Sequence, residues 1–345
     1  MYILNSFSNN FCYKIIIILL LFLQIRFDNN KANLLKSGDN SLQDKNKLKI
    51  INEFTDIFND LYHLFRPEDM GKNSIHHHSK IFSKNCNKVL LCAVGKSENL
   101  YAKEFVEFYQ NLGFDKIIIF DNNDLDGEKF DDILKDFISD KIVEIVDIRG
   151  LKSVQLSVYN YCYRNYKNLY DWIAFFDFDE YLYMKYDSNI KYYLSNSRFQ
   201  KCETIFLNWH VYDDNDLLRY DNRTMIQRFT NFKYLSCGKL IVRGKLHHLL
   251  ITSSHRTINS NYCNSKGELI YPKSYVHHPK ENNSIAYLRH YYMKTAEEYC
   301  SKILRGDVQM KISPNVKKIN RFFLINKKTK EKIKILEKCF NITYK

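Results

Sequence analysis

Near the middle of the chain the run "FFDFDEYLYM" places Asp177 and Asp179 two residues apart, with Glu180 directly after them. Charged side chains are seldom buried unless they are paired or bind a metal. In an extended chain, residues two apart share a face, so Asp177 and Asp179 point one way and Phe176 and Phe178 the other. Glu180 joins the phenylalanine side unless the strand bends. Hard carboxylate oxygens at the end of a strand suit Mg2+ or Mn2+, which one or two carboxylates share with substrate phosphates. Such a cation neutralises charge developing on a departing diphosphate. The plainer reading is that these acids cap a helix or pair with basic side chains just past a strand.

Alternating elements must carry these acids. "KVLLCAV" is an apolar run of strand length, and "NLYAKEFVEFYQNLG" has helical spacing with a stop at Gly113. "DKIIIFDNND", "KIVEIVDI" and "DWIAFFDFDEYLYM" read as further strands, with helical segments between them. Strands alternating with helices predict an α/β fold: a mostly parallel sheet flanked by helices, its strands buried on both faces. Ligands in such sheets bind beyond the carboxyl ends of the strands. There the pattern gathers Lys96, Ser97 and Glu98, then Asp121, Asn122 and Asn123, then the three acids. Beyond Ser195, "ETIFLNWHVY" and "KLIVRGKLHHLLI" read as strands and "KTAEEYCSKILRGD" as a helix.

The 345 residues carry a formal net charge of +13, with 45% hydrophobic and 15% aromatic residues, enough for a sizeable core. The Lys and Arg residues are scattered, with no basic helix and no RNA-binding aromatic signature, so nucleic acid is not expected as a partner. The stretch "YKIIIILLLFLQI" (Tyr13 to Ile25) is short for a membrane span and fits either an uncleaved signal anchor or a cleaved signal peptide. The expectation is a single-pass type II membrane protein with its bulk in a Golgi-like lumen, or otherwise a secreted one. Residues 1–26 form the anchor or signal, 27–85 a stem, 86–310 the main domain, and 311–345 a basic, partly helical tail. In the stem, "LKIINEFTDIFNDLYHLF" has helical spacing, and His76 to His78 read as a solvated loop. Sequons occur at Asn222, Asn282 and Asn341. Among nine cysteines one or two disulfides are expected, with Cys92 read as a small core residue.

Four segments carry a family resemblance: "CAVGKSENLYAKEFVEFYQNLGFDKIIIFDNND", "WIAFFDFDEYL", "RF...GKLIVR" and "RHYYMKTAEEYCSKILRGD". From about Val89 to Val308 the chain resembles the family 92 glycosyltransferases and the related family-2-like group, which have a GT-A (Rossmann-like) fold and a D-x-D motif at this place. The resemblance implies transfer of a sugar, galactose in the first instance, from a UDP-sugar to a glycan acceptor with inversion, using Mn2+ or Mg2+. By position, it implies that Lys96, Glu98, Asp121 and Asn122 line the nucleotide. Gln155 and Asn160 would face the donor sugar. Asp177, Asp179 and His290 would hold the metal, with His247 and then His248 as alternatives to His290. Lys294 and Arg305 would meet the phosphates, and Glu180 would orient the acceptor or a water. Ser97 stands where Asn is common in that group. An inverting transfer also needs a base, for which Glu180, Asp213, Asp214 and Asp216 are candidates; the acidic loop departs from the Gly-containing family pattern. Trp209 offers a flat face for stacking on a sugar. Two rival readings are a membrane-tethered carbohydrate-binding protein without activity and a D-x-D phosphohydrolase. The latter usually has Thr or Val where Tyr181 stands, and its motif ends the first strand rather than the fourth.

Overall fold

The computed structural model describes residues 47–52, 86–271, 281, 284–305 and 315–344. The apolar runs become β1 (Val89–Gly95), β2 (Lys116–Asp121), β3 (Val143–Asp147) and β4 (Trp172–Phe175). They alternate with α1 (Asn99–Asn111), α2 (Phe130–Ser139) and α3 (Gln155–Tyr166). β1 pairs in parallel with β2 and β4, and β2 with β3. Every residue of β1 is buried, as a strand covered on both faces requires. Past α1, Gly113 has φ +94°, the left-handed conformation in which helices often stop and which glycine adopts without a Cβ clash.

The second half departs from the expected pattern. The fourth run is two strands, because the chain leaves β4 at Phe175 and turns back at Asp177. The Glu180 N–H donates to the Asp177 carbonyl at 3.0 Å, and β5 (Glu180–Met184) begins there. There follow α4 (Ile190–Leu194), β6 (Thr204–Tyr212), α5 (Met225–Arg228) and β7 (Phe232–Arg243). Three short strands come next: β8 (Leu250–Ser253), β9 (Arg256–Ile258) and β10 (Tyr262–Cys263). The last elements are β11 (Ala286–His290), α6 (Ala296–Leu304), α7 (Asn315–Phe322) and α8 (Lys330–Phe340).

The main sheet runs β3-β2-β1-β4-β7-β6-β11-β5, with β10 beside β6. β7 is antiparallel to β4 and to β6, and β11 is antiparallel to β5. The sheet is therefore mixed rather than mostly parallel. The turn at Asp177 sends the chain to β5 at the far edge of the sheet, and β7, returning later, fills the place beside β4 in the opposite direction. The strand expected through "KLIVRGKLHHLLI" ends at Arg243. At Gly244 a Cβ would lie 2.0 Å from the Tyr170 carbonyl oxygen, so backbone approaches backbone too closely for any other residue.

Alternate residues of β1 feed two cores. Val89, Leu91 and Ala93 join Phe105, Phe176, Phe178 and Tyr181 on the α1 side, while Leu90, Cys92 and Val94 join Phe120, Tyr159 and Phe175 on the α3 side. Residues 47–52 are helical, and Ile50 and Ile51 are buried in the second core. A third cluster unites α6 with the described part of the basic tail through Tyr299, Ile319, Phe322, Leu336 and Phe340.

Three disulfides join Cys92 to Cys162, Cys202 to Cys263 and Cys300 to Cys339. Cys92 is thus not simply a core residue: it fastens β1 to α3, and Cys300 fastens α6 to α8. Among the described residues no helix is long and apolar enough to cross a membrane. The single-pass placement in a Golgi-like lumen is accordingly withdrawn. The apolar run behind it, His76 to His78 and Asn282 lie outside the described residues.

Candidate active site

The turn between β4 and β5 presents the acids, and it separates them. Glu180 Oε2 accepts the Asp177 N–H at 2.9 Å and closes the turn from inside. The two aspartates consequently reach different partners. Asp177 Oδ2 lies 2.8 Å from Lys239 Nζ on β7. Its Oδ1 accepts from Gln155 Nε2 at 3.2 Å and from the Tyr159 hydroxyl at 3.1 Å, both on α3. Asp179 Oδ2 lies 2.6 Å from Lys302 Nζ on α6, and its Oδ1 is 3.5 Å from His290 Nε2 at the end of β11. The β11–β5 register sets His290 opposite Glu180, which brings the imidazole to the turn.

Behind this turn stands a wall of cations from α6 and the loop before it. Lys294 lies 3.2 Å from Glu98, and Arg305 bonds both Glu98 and the Ser97 carbonyl. Thr295 and Glu298 form a capping box that starts α6 and thereby aims Lys302 and Arg305. Burial alone would raise the Asp179 carboxyl, but Lys302, His290 and Lys294 outweigh it and hold it well below the usual range. Burial would likewise raise Glu98, and Lys294 and Arg305 hold it down. Glu180 differs: complete burial pushes its carboxyl well above the usual range, with Lys239 only partly opposing. Burial lowers His290 despite the neighbouring Asp179.

The sequence-derived candidates divide into two groups. Around the turn, Asp177 contacts Gln155, Glu180 and Lys239, Asp179 contacts His290 and Lys302, and Glu98 contacts Lys294 and Arg305, three adjoining sets of ion pairs and hydrogen bonds. Lys96 lies at the outer edge of that region, 3.0 Å from Asp124. Asp121, Asn122 and Asn160 are turned to structural work. Asp121 accepts the N–H groups of Asn123 and Phe130, shaping the loop after β2. Asn122 donates to the carbonyls of Ile148 and Leu151. Asn160 exchanges two bonds with the Ile251 backbone and pins β8. Asp214 is buried in an ion pair with Lys332 of α8 at 2.8 Å, and Lys332 also reaches Asp216 at 2.9 Å. Asp213 Oδ1 accepts the Asn215 N–H on the same loop. His247 and His248 are exposed and lie outside these sets. Trp209 does line the site: its ring centroid is 4.2 Å from that of His290 and 5.2 Å from that of His255.

Lys239, Lys302, Tyr159 and His255 were not expected. Lys239 had a readable signal, since a lysine inside the apolar run "GKLIVR" must find a buried partner. Lys302 lies in a quoted segment, but its spacing does not say which acid it meets. Burial and the nearby Lys239 lower His255 to about 4, and its Nδ1 lies 2.7 Å from the Gly238 carbonyl oxygen.

Asp179 and His290 are the only pair from the expected metal set that face one another. Among the described residues no group of three His, Cys, Asp or Glu side chains is placed to hold a metal ion. A magnesium-like cation needs only one or two protein ligands when substrate phosphates and water fill the rest. The Asp179 carboxylate and the His290 imidazole, 3.5 Å apart, offer one oxygen and one nitrogen donor of the kinds such ions take. His290 Nδ1 is buried with no hydrogen-bond partner among the described residues.

The sequence model of glycosyltransferase family 92 matches residues 87–333. No curated protein matches the chain. Among solved structures, similarity extends to the mannosyltransferase PcManGT from Pyrobaculum calidifontis, in complex with GDP-Man and Mn2+. There the identity is 10% over 47% of each chain, with a TM-score of 0.28. It extends also to TarS of S. aureus, at 9% identity over 41% of this chain and 24% of that one, TM-score 0.26. A TarS fragment, residues 1–349, matches at 10% identity over 46% of this chain and 47% of that one, TM-score 0.26. The chain spans about half or less of the solved chains that it matches. With the family match running from just before β1 into α8, the chain belongs to glycosyltransferase family 92.

Proposed function

We propose that this glycosyltransferase moves a hexose from a nucleoside-diphosphate sugar, a UDP-sugar such as UDP-galactose, to a hydroxyl of a glycan acceptor with inversion. The observation that carries this reading is the buried Asp179, 3.5 Å from His290 and 2.6 Å from Lys302, with Lys294 and Arg305 gathered at Glu98 beside it. Asp179 and His290 would hold a Mn2+ or Mg2+ ion, which supplies positive charge at the diphosphate leaving group. Lys294 and Arg305, fixed by Glu98, give that group further cationic contacts, since Arg and Lys both recognise phosphate. Asp177 does different work from Asp179. Held by Lys239, Gln155 and Tyr159, it anchors the turn to β7 and α3. Glu180 braces the same turn through the Asp177 N–H. Trp209 offers a ring face beside His290 for stacking on a sugar. Because Asp214 and Asp216 are held by Lys332, we assign those two to anchoring α8, which leaves Asp213 and Glu180 as the candidates for the base.

The test is a screen of nucleotide sugars for binding and hydrolysis by the full chain, with Mn2+ and with EDTA. Metal-dependent turnover of one UDP-sugar, lost in Asp179→Asn with the fold retained, is the expected result. A folded protein that binds no nucleotide sugar, or an Asp179→Asn variant with normal turnover, would refute the reading.

A further inference from the structure

The two aspartates of the turn are neutralised in different ways. Lys239 is locked: its side chain is 1% exposed, 2.8 Å from Asp177 and 3.9 Å from Glu180, with the Tyr159 hydroxyl 3.5 Å away. It has no other place to put its charge. Lys302 is 17% exposed and already touches a second resting place. Its Nζ donates to the Tyr292 carbonyl at 3.3 Å and sits 3.8 Å from the centre of the Tyr292 ring, a cation–π contact. Lys302 also contributes to holding down Glu98, so its charge reaches the cluster where Lys294 and Arg305 stand.

A divalent cation at Asp179 Oδ1, beside His290, meets the repulsion of the ammonium group 2.6 Å from Oδ2 of the same carboxylate, so metal binding competes with Lys302. Moving Lys302 away costs little if another anion takes its charge, and a diphosphate is such an anion.

We infer that Lys302 is an exchangeable counter-ion, which holds Asp179 in the donor-free protein and passes to the donor's phosphates on binding, freeing Asp179 and coupling donor binding to divalent-cation binding. This positioning role rests on the function proposed above. Because the lysine competes with the metal and assists the nucleotide, removing it must act on the two in opposite directions. Without Lys302 the carboxylate is open to a metal before any nucleotide arrives, and the nucleotide loses a cationic contact.

The experiment uses the full chain and two probes: Mn2+ alone, followed by the paramagnetic resonance of the free ion, and UDP in EDTA, followed by calorimetry. Lys302→Met is expected to bind Mn2+ alone about tenfold more tightly and UDP in EDTA about tenfold more weakly, within the usual span of coupling factors. Lys302→Arg, which keeps the charge, is expected to stay near wild type in both. Lys302→Gln is read in the same way as Lys302→Met and guards against a folding failure of either variant. A loss of general structure would weaken both ligands together. That result, or no change in either, overturns the inference while leaving the proposed function standing. A wild-type protein that binds neither UDP nor GDP, with or without Mn2+, overturns both.

Discussion

Glu298→Gln tests whether the start of α6, which aims Lys302 and Arg305, is held by one buried charge. Glu298 Oε2 accepts from Arg228 Nη1 at 2.8 Å and from the Thr295 hydroxyl at 2.7 Å, and Oε1 accepts from the Tyr101 hydroxyl at 2.7 Å. The Arg228 side chain is 0% exposed and that of Glu298 4%. Among the described residues, Arg228 Nε and Nη2 have no hydrogen-bond partner, so the guanidinium relies on this carboxylate and on the Tyr220 and Phe229 rings. Removing one partner of a buried ion pair costs about 3–5 kcal/mol. Glutamine keeps the volume and one accepting oxygen, which returns about 1 kcal/mol, leaving a loss of roughly 2–4 kcal/mol. At about 2 °C per kcal/mol for a large domain, the Tm falls by roughly 4–8 °C.

The pH dependence carries a sign. Burial raises the Glu298 carboxyl, but Arg228, Thr295 and Tyr101 outweigh it and hold it below its ordinary value. A depressed folded-state value gives stability that is present above the unfolded carboxylate pKa, about 4.3, and is lost as pH falls through the folded one. Thermal unfolding of both proteins at pH 7.5, 5 and 3.5 should therefore show a constant gap at the two higher values and a narrower one at the lowest. A Tm shift under about 2 °C, or a gap that widens in acid, would refute the argument.

Lys332→Met should destabilise the fold by about 3–5 kcal/mol, because it strands Asp214, which is 1% exposed, while UDP affinity at low temperature stays unchanged. Combining it with Asp214→Leu should recover most of that loss in urea unfolding; failure to recover would show that the bond Asp214 accepts from the Asp216 N–H, and not the ion pair, holds the loop. Glu180→Gln should keep most transferase activity, since the turn needs one accepting oxygen and Gln supplies it. A loss of about a hundredfold or more in kcat would instead identify Glu180 as the general base.

The strands and helices from β1 to β4 were legible because their signals are local. Apolar runs of strand length, helical spacing and the stop at Gly113 all lie within a dozen residues. The acids of "FFDFDEYLYM" were legible as chemistry for the same reason, and so were the residues of "RHYYMKTAEEYCSKILRGD" as a unit. What each acid would meet was not. Lys302 reaches Asp179 across 123 residues, and Lys239 reaches Asp177 across 62. The placement of β7 against β4 and the bend at Asp177 set those distances, and neither leaves a periodic trace. Alternation along an extended strand put Asp177 and Asp179 on one face; a turn closed by the Glu180 side chain sends them to different cations. Asp121, Asn122 and Asn160 look the same in sequence whether they greet a ligand or close a loop, because a short polar side chain serves either end once the backbone around it is placed. Residue types and spacing thus determined which chemistry the chain carries. Packing alone decided which charges neutralise one another, because ion pairs form between whatever side chains the sheet order brings within reach.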